Sequence, residues 1–103
     1  MFLINMDHIP GTNFEVLGLV RGATVLSRDV GTDVLAGLMS AVGGEIVAYT
    51  EMLEEARTIA TERMEAEAEK LSADAVINIR YSTSAVMTGA AEVLVYGTAV
   101  RYK

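Results

Sequence analysis

The 103-residue chain has no cysteine, no tryptophan, one proline and one histidine, and its eight lysines and arginines are outnumbered by fourteen acids. Without cysteine there is no disulfide framework and no thiolate to serve as a nucleophile or soft-metal ligand. With one histidine, a Ser-His-Asp arrangement is open only around His8. The excess of acids, net −6, makes nucleic acid and anionic membrane unsuitable partners, because phosphate backbones are neutralised by Lys and Arg. No run approaches the roughly 20 apolar residues of a membrane span. The start, Met1-Phe2-Leu3-Ile4-Asn5-Met6-Asp7, lacks the basic and apolar regions of a signal peptide, so the expected location is cytoplasmic. The motifs G-x-G-x-x-G, G-x-x-x-x-G-K-[ST], G-x-S-x-G and H-E-x-x-H are all missing.

What is present is apolar material. Half of the chain, 51%, is hydrophobic and only 21% is charged. The length corresponds to one domain, residues 1–103. A core this small shelters a modest share of its surface, so part of the apolar surplus is expected at an interface between identical copies.

Residues 14–27, Phe14-Glu15-Val16-Leu17-Gly18-Leu19-Val20-Arg21-Gly22-Ala23-Thr24-Val25-Leu26-Ser27, read as a strand, rich in Val and Leu and without a helical stripe. Gly18 and Gly22 within it point to a bulge, a bend, or the close approach of another backbone. One long bent strand is the first reading; two short strands folded at Arg21-Gly22 is the alternative. Ile9-Pro10-Gly11-Thr12-Asn13 has turn chemistry, which leaves residues 2–6 as a short separate strand. Thr32-Asp33 caps a short helix to about Ser40, broken by Gly43-Gly44.

The clearest pattern runs from Glu45 to Leu71. Ile46, Tyr49, Leu53, Ala56, Ala60, Met64, Ala68 and Leu71 recur at spacings of three and four, which places them on one helical face. The segment also holds eight glutamates against Arg57, Arg63 and Lys70, a solvated acidic face. At 1.5 Å per residue the helix extends roughly 40 Å, beyond the ~34 Å breadth of a compact 100-residue domain. Ser72-Ala73-Asp74 closes it. Ala75-Val76-Ile77-Asn78-Ile79-Arg80-Tyr81 reads as a strand, residues 82–90 as a turn region, and residues 92–102 as a second long strand paired antiparallel with the first. On that last strand Val93 and Val95 face one way, and Leu94, Tyr96 and Val100 the other. Both faces are apolar, so both are expected to be covered. One helix covers only one of them.

The expected fold is therefore α+β: an antiparallel sheet of three to four strands, with a long bent first strand and a C-terminal hairpin, packed by one short and one long helix. The segments Gly43-Gly44, Tyr49-Thr50-Glu51-Met52-Leu53-Glu54-Glu55-Ala56-Arg57, Ala73-Asp74-Ala75-Val76, Asn78-Ile79-Arg80 and Tyr96-Gly97-Thr98-Ala99-Val100 resemble the YbjQ family of bacterial and archaeal proteins, from about Gly11 onward. Ser72 stands where many members have Gly, and residues 27–42 match more loosely. The resemblance implies a dodecin-subunit-like chain, a homopentameric ring, and a family label of heavy-metal binding without an assigned biochemical function.

Heavy metals of soft character prefer thiolates, and harder ones His with carboxylates. Asp7 and His8 are the only weak metal candidates, and as sequence neighbours they form a site only if a ring brings several copies of His8 together. No cofactor is expected beyond that metal option. The six methionines read as core filling rather than copper ligands. The polar residues embedded in apolar patterns are Tyr49, Glu51 and Arg57 on the long helix and Arg80, Glu92 and Tyr96 on the hairpin. They read first as pairs that fix register, with Arg80 and Glu92 as diagonal neighbours, and second as a small-ligand pocket between subunits. An enzyme with a shared site on Arg80, Glu92, Tyr49 and Tyr96 is the third reading. Gly97 and Ala99 suggest close packing rather than a cavity.

Overall fold

A computed structural model describes residues 1–27 and 47–103. Its elements are β1 (Phe2–Leu3), β2 (Phe14–Ser27), helix α1 (Val47–Lys70), β3 (Ala75–Met87) and β4 (Ala90–Tyr102). The short helix expected over residues 32–40, and Ile46 of the helical stripe, lie outside the described residues. The four strands form one sheet in the order β1-β3-β4-β2. All neighbours are antiparallel except β1, which runs parallel to β3. The architecture is α+β, as the patterns predict.

β2 is a single strand of 14 residues paired along β4 from Phe14↔Tyr102 to Ser27↔Ala90. The two glycines within it have different jobs. At Gly18 the register shifts past an extra residue, and its φ of 146° is open to glycine alone. Gly22 lies under α1, where a Cβ would land on the Ala60 carbonyl oxygen and 2.5 Å from the Met64 nitrogen. The backbones touch there because α1 presents a stripe of small residues.

That stripe is Met52, Ala56, Ala60, Met64 and Ala68, all fully buried. Its Ala56, Ala60, Met64 and Ala68 pack on Val20, Val76, Ile79, Val93, Val95 and Ala99 of the sheet. From Ala56 to Ala68 the face is the one read from spacing. At its ends it differs: Met52, not Tyr49 or Leu53, is the fully buried residue of the early turns, and Leu71 is exposed. Gly97 and Ala99 are close-packed; a Cβ on Gly97 would sit 2.7 Å from Val76 Cγ1.

The helix C-terminus is closed by two bonds, Ser72 N to Glu69 O at 2.9 Å and Ala73 N to Ala68 O at 3.1 Å. With Ser72 at φ 59°, this is the Schellman arrangement, in which the left-handed residue is usually glycine. Arg101 donates to the carbonyls of Leu71 (2.9 Å) and Ser72 (3.2 Å) and to the Glu15 carboxylate (3.1 Å). It clamps carbonyls that the helix cannot satisfy internally.

The region read as a turn over residues 82–90 is mostly strand. β3 continues to Met87, opposite Ala90, and only Thr88-Gly89 turn. Every residue from Tyr81 to Met87 is exposed, so no apolar alternation marks them. The sheet, rather than the helix, outreaches the expected globule. Thirteen or fourteen residues per strand span roughly 45 Å, and the long axis measures 56 Å.

Candidate functional site

The sheet has a covered face and a largely bare one. α1 packs on the first. On the second, Ala75, Ile77 and Val100 form a small cluster sheltered by Ile4, Ile9 and Phe14. The N-terminal segment is held there by Ile4 N to Val76 O (3.1 Å) and Asn78 N to Met6 O (2.7 Å). So Val100, expected to need cover from another copy, obtains it within its own chain. Beyond that cluster nothing described covers the face.

The bare part is laid out by the register. Leu19, Arg21, Ala23 and Val25 of β2 stand opposite Thr98, Tyr96, Leu94 and Glu92 of β4. On the other side of β4, Arg80, Ser82 and Ser84 of β3 stand opposite Tyr96, Leu94 and Glu92. Leu19 is 70% exposed and Val25 55%. Arg21, Tyr96 and Arg80 form one row across three strands, with Tyr96 in the middle. Strand spacing near 4.8 Å puts the two arginine backbones roughly 10 Å apart.

Arg80 donates to Asn5 O (3.2 Å) and Ile79 O (3.0 Å), which ties the N-terminal segment to β3. Among the described residues, no carboxylate lies within ion-pairing distance of Arg21 or Arg80. Arg80 and Glu92 are not the diagonal neighbours expected. Arg80 pairs with Tyr96, four residues from Glu92 on β4, roughly 13 Å along the strand. The bulge between Ile77 and Arg80, where Asn78 takes φ 55°, sets that register.

The remaining candidates lie elsewhere. Tyr49, Glu51 and Arg57 sit on α1, on the other side of the sheet from Arg80, Glu92 and Tyr96. Arg57 pairs with Glu54 of its own helix at 3.1 Å. One chain therefore does not gather Tyr49 with Arg80, Glu92 and Tyr96 into a catalytic cluster. Met52 and Met64 fill the core, whereas Met1, Met6 and Met87 are exposed.

Sequence reasoning missed two arginines. Arg21 was legible as the lone cation in an apolar strand. The clamp made by Arg101 had no signal, because its helical partners are about 30 residues away. A third cation, Arg63, donates to the edge carbonyl of Ala23 at 2.7 Å. Shallow grooves run along this β2 edge, between Leu19, Arg21 and Ala23 on the strand and Arg63, Glu67 and Lys70 on the helix.

Asp7 and His8 are bonded to each other, Oδ1 to Nδ1 at 2.8 Å, in the open. The hydrogen bond from His8, and then its charge, hold the Asp7 carboxyl below its ordinary value; Arg80 adds a smaller pull. No group of three or more His, Cys, Asp or Glu able to hold a metal occurs among the described residues. The whole chain has one imidazole and no thiol. These donors do not fit a heavy-metal centre. No described helix is long and apolar enough to cross a membrane.

Comparison with known proteins agrees with this geometry at the level of the family. The model of the YbjQ family, described as "Putative heavy-metal-binding", matches residues 1–103. A UPF0145 protein of Clostridium novyi is 60% identical over 101 residues, covering 98% of each chain. One from Alkaliphilus metalliredigens is 54% identical over 102 residues, covering 99% of each. A crystal structure of a protein of unknown function, of the DUF74 family, from Pediococcus pentosaceus superposes with a TM-score of 0.67. It covers 100% of this chain and 98% of its own at 16% identity, a likeness of fold. The chain belongs to the YbjQ family, among proteins that carry the name UPF0145.

Proposed function

We propose that the chain is the subunit of a homo-oligomeric ring of five copies that holds a small ligand where neighbours meet. The observation that carries this reading is the bare sheet face. Leu19 and Val25, 70% and 55% exposed, stand on it beside Leu94 and Tyr96. Contiguous exposed apolar surface of this kind marks a site of association.

The sheet edges support the same reading. β2 is the last strand on one side. On the other side, β1 pairs only with Ala75 and Val76, which leaves the outer side of the Tyr81–Met87 part of β3 without a strand neighbour among the described residues. Two different edges open among the described residues favour a head-to-tail contact, which gives a ring where the rotation between copies closes. The number five rests on the resemblance to the YbjQ family. The reading is of a binding or scaffold protein, supported by the exposed sheet face rather than by any catalytic cluster.

Native mass spectrometry of the full chain tests the proposal. Each subunit is 11.0 kDa, and a single species of five subunits is the expected result. A stable monomer at micromolar concentration would end it.

A further inference from the structure

The cross-strand row Arg21–Tyr96–Arg80 has the wrong charge for its surroundings. The chain as a whole is net −6, yet this row presents two guanidinium groups, one on each side of an aromatic ring. Neither has a carboxylate partner among the described residues. Charges near the row are Glu92, four residues from Tyr96 on β4, Asp7, which feels Arg80 weakly and is bonded to His8, and Glu67, Arg63 and Lys70 of α1, which line the edge grooves with Arg21. Arg80 donates to backbone carbonyls of Asn5 and Ile79, which fix it in place without neutralising it. Arg21, on β2, has no such tie among the described residues.

We infer that this row is a binding site for a small planar anion, an aromatic carboxylate or phosphate. Its anionic group sits between the two guanidinium forks and its ring lies on Tyr96. Guanidinium groups match carboxylate and phosphate geometry through paired N–H donors. Tyr96, 40% exposed, supplies a flat apolar surface for an offset ring. Ser82 and Thr98, each two residues along the same face from a member of the row, add hydroxyls for a second oxygen. The strands hold all of these side chains at fixed spacing, so the site is set by register and not by loops. The inference deepens the proposal that the oligomer holds a small ligand, by naming the surface and the chemistry.

The test uses the full chain at low ionic strength, titrated with phenyl phosphate and followed by calorimetry. Saturable binding is expected, weakened at least tenfold by Arg21→Gln and by Arg80→Gln and unchanged by Lys103→Gln, an exposed cation just past the end of β4. Arg21 has no structural bond among the described residues, so its variant keeps the test valid if loss of Arg80 loosens the N-terminal segment. Inorganic phosphate should bind more weakly than phenyl phosphate, and Tyr96→Ser should remove that difference. Benzoate in place of phenyl phosphate separates the two anion classes; the tighter binder is the class the site takes. Absence of saturable binding by both aromatic anions, or equal affinity in the Arg21→Gln protein, would overturn the inference. Light scattering on the same samples keeps the two readings apart. An assembled protein that ignores both probes removes the ligand site and leaves the ring, and a monomer that binds them does the opposite.

Discussion

Gly22 of β2 and Ala60 of α1 bring two backbones into direct contact, with no room for a side chain between strand and helix. The contact fixes the height of α1 above the sheet, and with it the packing of Met64 and Ala56 on either side. Gly22→Ala should therefore cost about 3 kcal/mol or more, the upper end of overpacking penalties. Urea denaturation of the variant beside the wild type checks this. Tolerance of the methyl group would mean that helix and strand are not in contact there.

Ser72 occupies the left-handed position that ends α1, at φ 59°. An L residue pays about 1 kcal/mol or more in that conformation, and glycine would lose part of the gain through a freer unfolded chain. Ser72→Gly should stabilise the fold by roughly 0.5–1 kcal/mol, read as a higher denaturation midpoint with unchanged slope.

On the helix, Met52 has no exposed surface while Leu53 beside it is only partly buried against the core. Met52→Asp places an unpaired charge in the core and should cost roughly 4 kcal/mol or more. Leu53→Asp should cost less. Glu62→Gln, on the exposed side, should stay within about 0.5 kcal/mol. Thermal unfolding of the three proteins ranks them, and equal damage from Met52→Asp and Glu62→Gln would show that the buried face is misassigned.

The Asp7 carboxyl is held low by the hydrogen bond and charge of His8. A depressed folded-state value contributes stability above the ordinary aspartate pKa, and that contribution is lost as pH falls through the lowered value. An NMR titration should place the Asp7 midpoint below the ordinary aspartate value, and His8→Ala should return it most of the way. A midpoint unmoved by His8→Ala would show that the pair does not persist in solution.

The sequence made most of the fold legible because its strongest signals are local. The Ala56–Ala60–Met64–Ala68 stripe has the helical period, and the Val93–Val95 alternation has the strand period, so each element identifies its own buried face. The second half of β3 was hidden because neither of its faces is buried: Ser82, Thr83 and Ser84 pair with Leu94, Val93 and Glu92 without an apolar pattern. Register was hidden for a different reason. The bulges at Leu17 and after Ile77 shift side chains by one place, and such a shift decides which residues meet. That is why Arg80 stands opposite Tyr96, in one row with Arg21. Membership of a row across three strands is a property of pairing, which no single segment encodes.

Sedimentation velocity, comparing the wild-type chain with a Leu19→Asp, Val25→Asp double variant across a dilution series, bears most directly on the idea that identical copies close the bare sheet face. The wild type should sediment as one species several times heavier than its 11.0 kDa subunit, and the double variant as a folded monomer. A wild-type chain that stays folded at the mass of a single subunit would contradict the account, as would a double variant that assembles unchanged.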